Sequence, residues 1–205
     1  MNCYNMQKNR TLARIFNTLP YNQPVDIYGD GILIFSDLKY KEFTPYVYTL
    51  EGLHKIDIYK AGSKENPIIR TAIRLPLDQI FTIAITGNEK EETLLVIDED
   101  IEQEPSKDSA IGRVVNLSPG LPVVDIFVNG SPSINNIDFR DQTPYVYIPP
   151  GIYTTEVRTS QDGSDVASDK FEFKTNRIYT SYIIGNPPNV EILNSVDGNT
   201  YVCRT

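Results

Sequence analysis

The residues that could carry chemistry in this chain are few and poorly spaced for it. His54 is the single histidine, and Cys3 and Cys203 are the only cysteines in 205 residues. A Ser-His-Asp set needs its histidine held by a carboxylate and turned toward a serine. Nothing beside His54 in the sequence marks such a set, so it reads as a surface histidine. Zinc needs closely spaced ligands, and one histidine with cysteines at opposite chain ends does not supply them. Phosphate-cradling loops of the G-x-x-x-x-G-K-[ST] or G-x-G-x-x-G kind do not occur. Asp162-Gly163-Ser164-Asp165 offers oxygen ligands to calcium, but Asp-Gly in a polar run is the signature of a turn. The expectation is therefore no catalytic residue, no cofactor and no metal.

The elements around these residues are written twice. Thr44-Pro45-Tyr46-Val47-Tyr48 recurs as Thr143-Pro144-Tyr145-Val146-Tyr147, ninety-nine positions later. At the same offset Arg14 meets Arg113, Asn17 meets Asn116, Pro20 meets Pro119, and Val25-Asp26-Ile27 meets Val124-Asp125-Ile126. From Arg14 to Ile58, 13 of 45 aligned positions are identical. A fixed period of this length means two copies of one folding unit, and about one hundred residues is enough for each to bury its own core.

Apolar and polar residues alternate in short runs bounded by turn residues, which marks strands. Gly29-Asp30-Gly31 and Asn129-Gly130 read as hairpin turns. The fold class expected is all-β, two tandem immunoglobulin-like antiparallel β-sandwiches. The domains read as 1–11 N-terminal arm, 12–97 first sandwich, 98–111 acidic linker, 112–197 second sandwich and 198–205 C-terminal tail. The linker rests on six acidic residues against Lys107 between Asp98 and Asp108, a composition that self-repels and extends. Within the repeated motif, strand parity sets Tyr46 with Tyr48, and Tyr145 with Tyr147, on one face. These tyrosines wall the sandwich or form a contact surface.

The net charge of -8 leaves no basic footprint for nucleic acid. No apolar run reaches the eighteen residues of a membrane span, and Met1–Thr11 shows no secretory signal.

Arg-apolar-apolar-Asn, then Pro, Val-Asp-Ile, Gly and Thr-Pro-Tyr, with Pro150-Gly151-Ile152-Tyr153 and Tyr179-Thr180 to Gly185, resembles the bacterial domain-of-unknown-function family 4397. That family is common in tandem in clostridial and bacillar proteins. The resemblance runs from about Leu12 to Asp197. Family members commonly carry a histidine where Asn17 and Asn116 stand, so any role of that histidine does not carry over. The resemblance implies a β-sandwich module of cell or spore surfaces, with no known reaction.

Cys3 and Cys203 lie outside both repeats, where reactivity rather than packing decides their use. A bond within one chain requires Cα atoms within about 7 Å, which ends of an extended tandem do not meet. A bond between molecules has no such limit and joins subunits head to tail. The arm Met1–Thr11 could also add to a neighbour's sheet edge. The leading expectation is a non-enzymatic structural protein of a spore or cell surface that forms a homo-oligomer or filament. The alternative is a surface binding module that recognises a glycan or protein ligand. A reduced cytoplasm, leaving both thiols free, is the alternative location.

Overall fold

The computed structural model describes residues 5–7, 9–20, 23–101 and 103–203. The described chain is all-β apart from one short 3-10 turn, Gly198–Thr200. It divides into two units, Met1–Asp100 with Tyr201–Thr205, and Ile101–Thr200. No helix among the described residues is long and apolar enough to cross a membrane.

The first unit contains β1 (Thr11–Asn17), β2 (Val25–Gly29), β3 (Ile32–Leu38), β4 (Val47–Thr49), β5 (Gly52–Lys60), β6 (Ile69–Leu75), β7 (Ile80–Thr86) and β8 (Thr93–Asp98). They form two four-stranded sheets, ordered β4-β1-β7-β8 and β3-β2-β5-β6. The second unit repeats this plan with β9 (Ala110–Asn116), β10 (Val124–Val128), β11 (Ser131–Ile137), β12 (Val146–Ile148), β13 (Gly151–Thr159), β14 (Asp165–Phe173), β15 (Ile178–Asn186) and β16 (Asn189–Val196). Its sheets run β12-β9-β15-β16 and β11-β10-β13-β14. The tandem sandwiches are those expected from sequence, with one added feature. β1 pairs with β7, and β9 with β15, in parallel.

Alternation places the core. Val25, Ile27, Ile58 and Ile85 are buried in the first unit, and Val124, Ile126, Val157 and Ile183 in the second. Two-residue hairpins link β2 to β3 and β10 to β11. Asp30 and Gly31 have φ of 50° and 82°, and Asn129 and Gly130 have 50° and 75°. Two successive left-handed residues match the strand twist, which is why Asp-Gly and Asn-Gly stand there.

The aspartate of Val-Asp-Ile has a definite task. Asp26 accepts the amides of Asp37 at 2.9 Å and Gly62 at 2.8 Å. Asp125 accepts the Asn136 amide at 2.9 Å and the Ser160 hydroxyl at 2.6 Å. Asp37 and Asn136 are left-handed, at φ of 57° and 58°, on strands whose register slips against β2 and β10. The carboxylate satisfies an amide that a bulge removes from the ladder.

The acidic stretch is not all linker. β8 runs to Asp98, and Glu99 is fully buried in the first unit, its amide bonded to the Ile80 carbonyl at 2.8 Å. Ile101 packs with Ile111 and Ile178 in the second.

Candidate ligand clefts

The outer face of β1 and β7 carries the first half of the site. Ala13 and Ile15 turn into the core, so Arg14 turns outward beneath the segment that leads into β4. Its guanidinium lies over the Phe43 ring at 4.2 Å and the Tyr46 ring at 4.6 Å. Its Nε donates to Thr82 Oγ1 at 2.7 Å, and Nη2 stands 3.6 Å from Glu99. Thr82 and Tyr46 both donate to the Glu99 carboxylate, Tyr46 at 2.8 Å. The second unit repeats the set with a shorter acid. Arg113 lies over Tyr145 at 4.3 Å and donates to Thr180 at 3.1 Å. Thr180 and Tyr145 donate to Asp197 at 2.7 and 2.6 Å. A carboxylate taken out of water must be met by donors, and this constellation supplies them.

That geometry corrects the expected tyrosine face. β4 begins at Val47, so Pro45 and Tyr46 lie outside it and strand parity does not reach them. Tyr46 and Tyr145 turn to buried acids. Tyr48 is 39% exposed and Tyr147 is 58% exposed. Of the four expected contact residues, two are structural and two face solvent. The Thr-Pro step before them also has a structural cause. Thr44 Oγ1 accepts the Ile15 amide at 2.9 Å, and Thr143 Oγ1 the Val114 amide at 3.0 Å, which carries the ladder past the proline.

In each unit the two sheets part on the side where β3 and β4, or β11 and β12, are the edge strands. A cleft of about 400 Å³ opens there, within the range of small-ligand sites. Ile32, Ile34, Val47, Tyr48 and His54 line the first, with Ile15 and Ile83 at its floor. Ser133, Val146, Tyr153, Thr155 and Phe173 line the second. The two clefts occupy equivalent places but differ in lining. Ile34, Ile56 and Ile83 of the first correspond to Ser133, Thr155 and Ser181 of the second, and Leu75 to Phe173.

A family model described as Domain of unknown function (DUF4397) matches residues 11–122 and 112–202. The chain belongs to that family. No curated protein matches it. Among solved structures it is similar to a protein titled "Alpha-glucan binding by a streptococcal virulence factor", at 12% identity and TM-score 0.28, covering 95% of this chain and 100% of that one. It is also similar to CBMbc, of family CBM26, from Eubacterium rectale Amy13K in complex with maltoheptaose. That match has 9% identity and TM-score 0.26, and covers 93% and 99%. At such scores neither says what this DUF4397 chain binds.

The remaining expected residues fall as follows in this DUF4397 tandem. Buried Asn17 bonds Leu38 O at 3.0 Å and accepts the Leu19 amide at 3.1 Å; Asn116 accepts the Ser118 amide at 3.0 Å. Both tie down the end of the strand they close. His54 sits on the rim of the first cleft, with Nδ1 3.0 Å from Asp30 Oδ2 and Nε2 2.9 Å from Leu50 O. The Lys55 amide and the His54 ring hold the Asp30 carboxyl below the usual carboxylate range. The second copy keeps the bond to the turn with another side chain, Tyr153 Oη donating to Pro149 O at 3.0 Å. Asp162 caps its own turn through Thr159 and the Ser164 amide. No cluster able to hold a metal occurs among the described residues. Cys203 is half-buried; Cys3, the other half of the expected intermolecular pair, lies outside the described residues.

The walls of the clefts were not foreseen from the sequence. Their one signal is Ile32-Leu33-Ile34-Phe35, an unbroken apolar run where a half-exposed strand should alternate.

Proposed function

We propose that this protein is a non-catalytic surface binding module, and that its clefts take a glycan. The observation that carries the reading is a pair of exposed apolar positions kept in both copies at the edge-strand side. Val47 is 48% exposed and lines the first cleft with Tyr48, and Val146 is 55% exposed and lines the second, with the exposed Tyr147 next to it on β12. The two copies differ at most positions, yet both leave these costly side chains in water. A tyrosine offers a flat apolar body with a polar tip. A sugar ring meets such a surface with its C–H face, while its hydroxyls reach the polar groups nearby, His54 and Asp30 in the first cleft, Ser133 and Thr155 in the second.

A glycan array probed with the full chain tests this. The reading expects a defined set of bound glycans that Tyr48→Ala with Tyr147→Ala abolishes. Retention of a protein partner, with no glycan bound, supports the protein-ligand alternative instead.

Location on a spore or cell surface belongs to the same proposal and rests on the family. Immunogold labelling of intact cells and spores reads it directly. Covalent linkage of copies through Cys3 and Cys203 is a separate element. It is supported only by the place of both residues in the sequence, outside the two repeats, and a non-reducing gel that shows only monomer contradicts it.

A further inference from the structure

The floors of the two clefts differ in kind. Ser181, at the floor of the second, is 7% exposed and donates to Asn194 Oδ1 at 2.6 Å. Asn194 Nδ2 in turn donates to Asp169 Oδ2 at 2.7 Å. Ser181 and Asn194 are partners across β15 and β16, and Thr155 and Asp169 across β13 and β14. The two bonds therefore link the two sheets. In the first unit Ile83 and Val96 stand for Ser181 and Asn194, and Ile56 and Thr71 for Thr155 and Asp169. Ile56 and Ile83 are core residues there, with Val96 packed against the same cluster. The fold is thus complete without the polar set.

The bonds run in one direction. An ionised carboxylate only accepts, so Asp169 draws the Asn194 amide nitrogen and leaves the amide oxygen to Ser181. The Ser181 proton is then committed to Asn194, and its oxygen remains in the cleft lining as an acceptor. No group among the described residues donates to that oxygen. Thr155 Oγ1, on the facing sheet, has no hydrogen-bond partner among the described residues. A buried acceptor without a donor is costly.

We infer that the second cleft seats a sugar hydroxyl on the Ser181 oxygen, whereas the first seats a methyl group at the same depth. This rests on the glycan reading above and names the group that each cleft selects. In a hexose the hydroxymethyl group projects furthest from the ring. With the ring against the exposed rim at Val146, that group is the one that reaches the floor. Its hydroxyl donates to Ser181 and pairs with Thr155. In the first cleft Ile34, Ile56 and Ile83 offer no partner, so a hydroxyl placed there gives up its bonds to water for nothing. A methyl group loses no such bond and gains burial. Asn194 and Asp169 are positioning residues that fix which way the Ser181 proton points.

Amide chemical shifts of the full chain, titrated with methyl hexosides and with their counterparts in which the hydroxymethyl is a methyl, test the inference. Thr155 reports the second cleft and Ile56 the first. At Thr155 the hydroxymethyl member of a pair is expected to bind about tenfold tighter or more, and at Ile56 the order is expected to reverse. Ser181→Ala is expected to remove the preference at Thr155 and to leave the order at Ile56 as it was. The same order at both clefts overturns the inference and leaves the glycan reading standing, as does a preference at Thr155 that survives Ser181→Ala. Shifts at neither residue with any sugar overturn both.

Discussion

The Tyr46 hydroxyl donates to the buried Glu99 carboxylate at 2.8 Å, and Tyr145 makes the same bond to Asp197 at 2.6 Å. The two tyrosines of each Tyr-Val-Tyr motif therefore have opposite duties, the first inside and the second outside. Loss of a hydrogen bond to a charged group costs about 1.5–3 kcal/mol, so Tyr46→Phe should lower the urea-unfolding free energy by that amount. Glu99→Ala leaves Arg14 with its near charge gone and should cost more, about 3–5 kcal/mol. A Tyr46→Phe protein as stable as the parent would show that the bond has no stabilising role.

Asp125 sets a pH dependence. The Ser160 hydroxyl and then the Asn136 amide hold its carboxyl below the ordinary range. A folded value lower than the unfolded one means that the unfolded chain binds the proton first. The stabilisation is full above the unfolded value near 3.8 and is lost as pH falls through the folded one. Melting curves from pH 7 down to pH 2 should show Asp125→Asn losing its deficit relative to the parent at the acid end. A constant deficit would mean that the charge of Asp125 is irrelevant.

Much of this fold could be read in advance, because period-two alternation and Asp-Gly or Asn-Gly turns are local signals. Val25, Ile27 and their counterparts lie in the cores as alternation demands. The site was less legible. Strand parity fails at Tyr46 because a proline step ends the ladder just before β4, and parity has meaning only inside a strand. Glu99 looked like linker because its buried donors, Thr82 and Tyr46, come from distant segments. The cleft depends on which strands end up at the sheet edges, and that is a property of topology alone.

The hairpin and β5 of the first unit are tied through Asp30, which accepts the Lys55 amide at 2.9 Å and meets His54. Asn129 accepts the Thr154 amide at 2.9 Å in the second. Asp30→Ala should speed hydrogen exchange of the Lys55 amide by about tenfold or more while the Thr154 amide keeps its protection. Equal exchange of Lys55 in both proteins would show that this link does not hold the rim.

Glycan binding through the exposed tyrosines is tested most directly on an array comparing the parent, Tyr46→Phe, and Tyr48→Ala with Tyr147→Ala. A defined glycan set is expected on the parent and on Tyr46→Phe, and is expected to be lost in the Tyr48→Ala, Tyr147→Ala protein. An array on which the parent binds nothing, or on which removing Tyr48 and Tyr147 changes nothing, would contradict it.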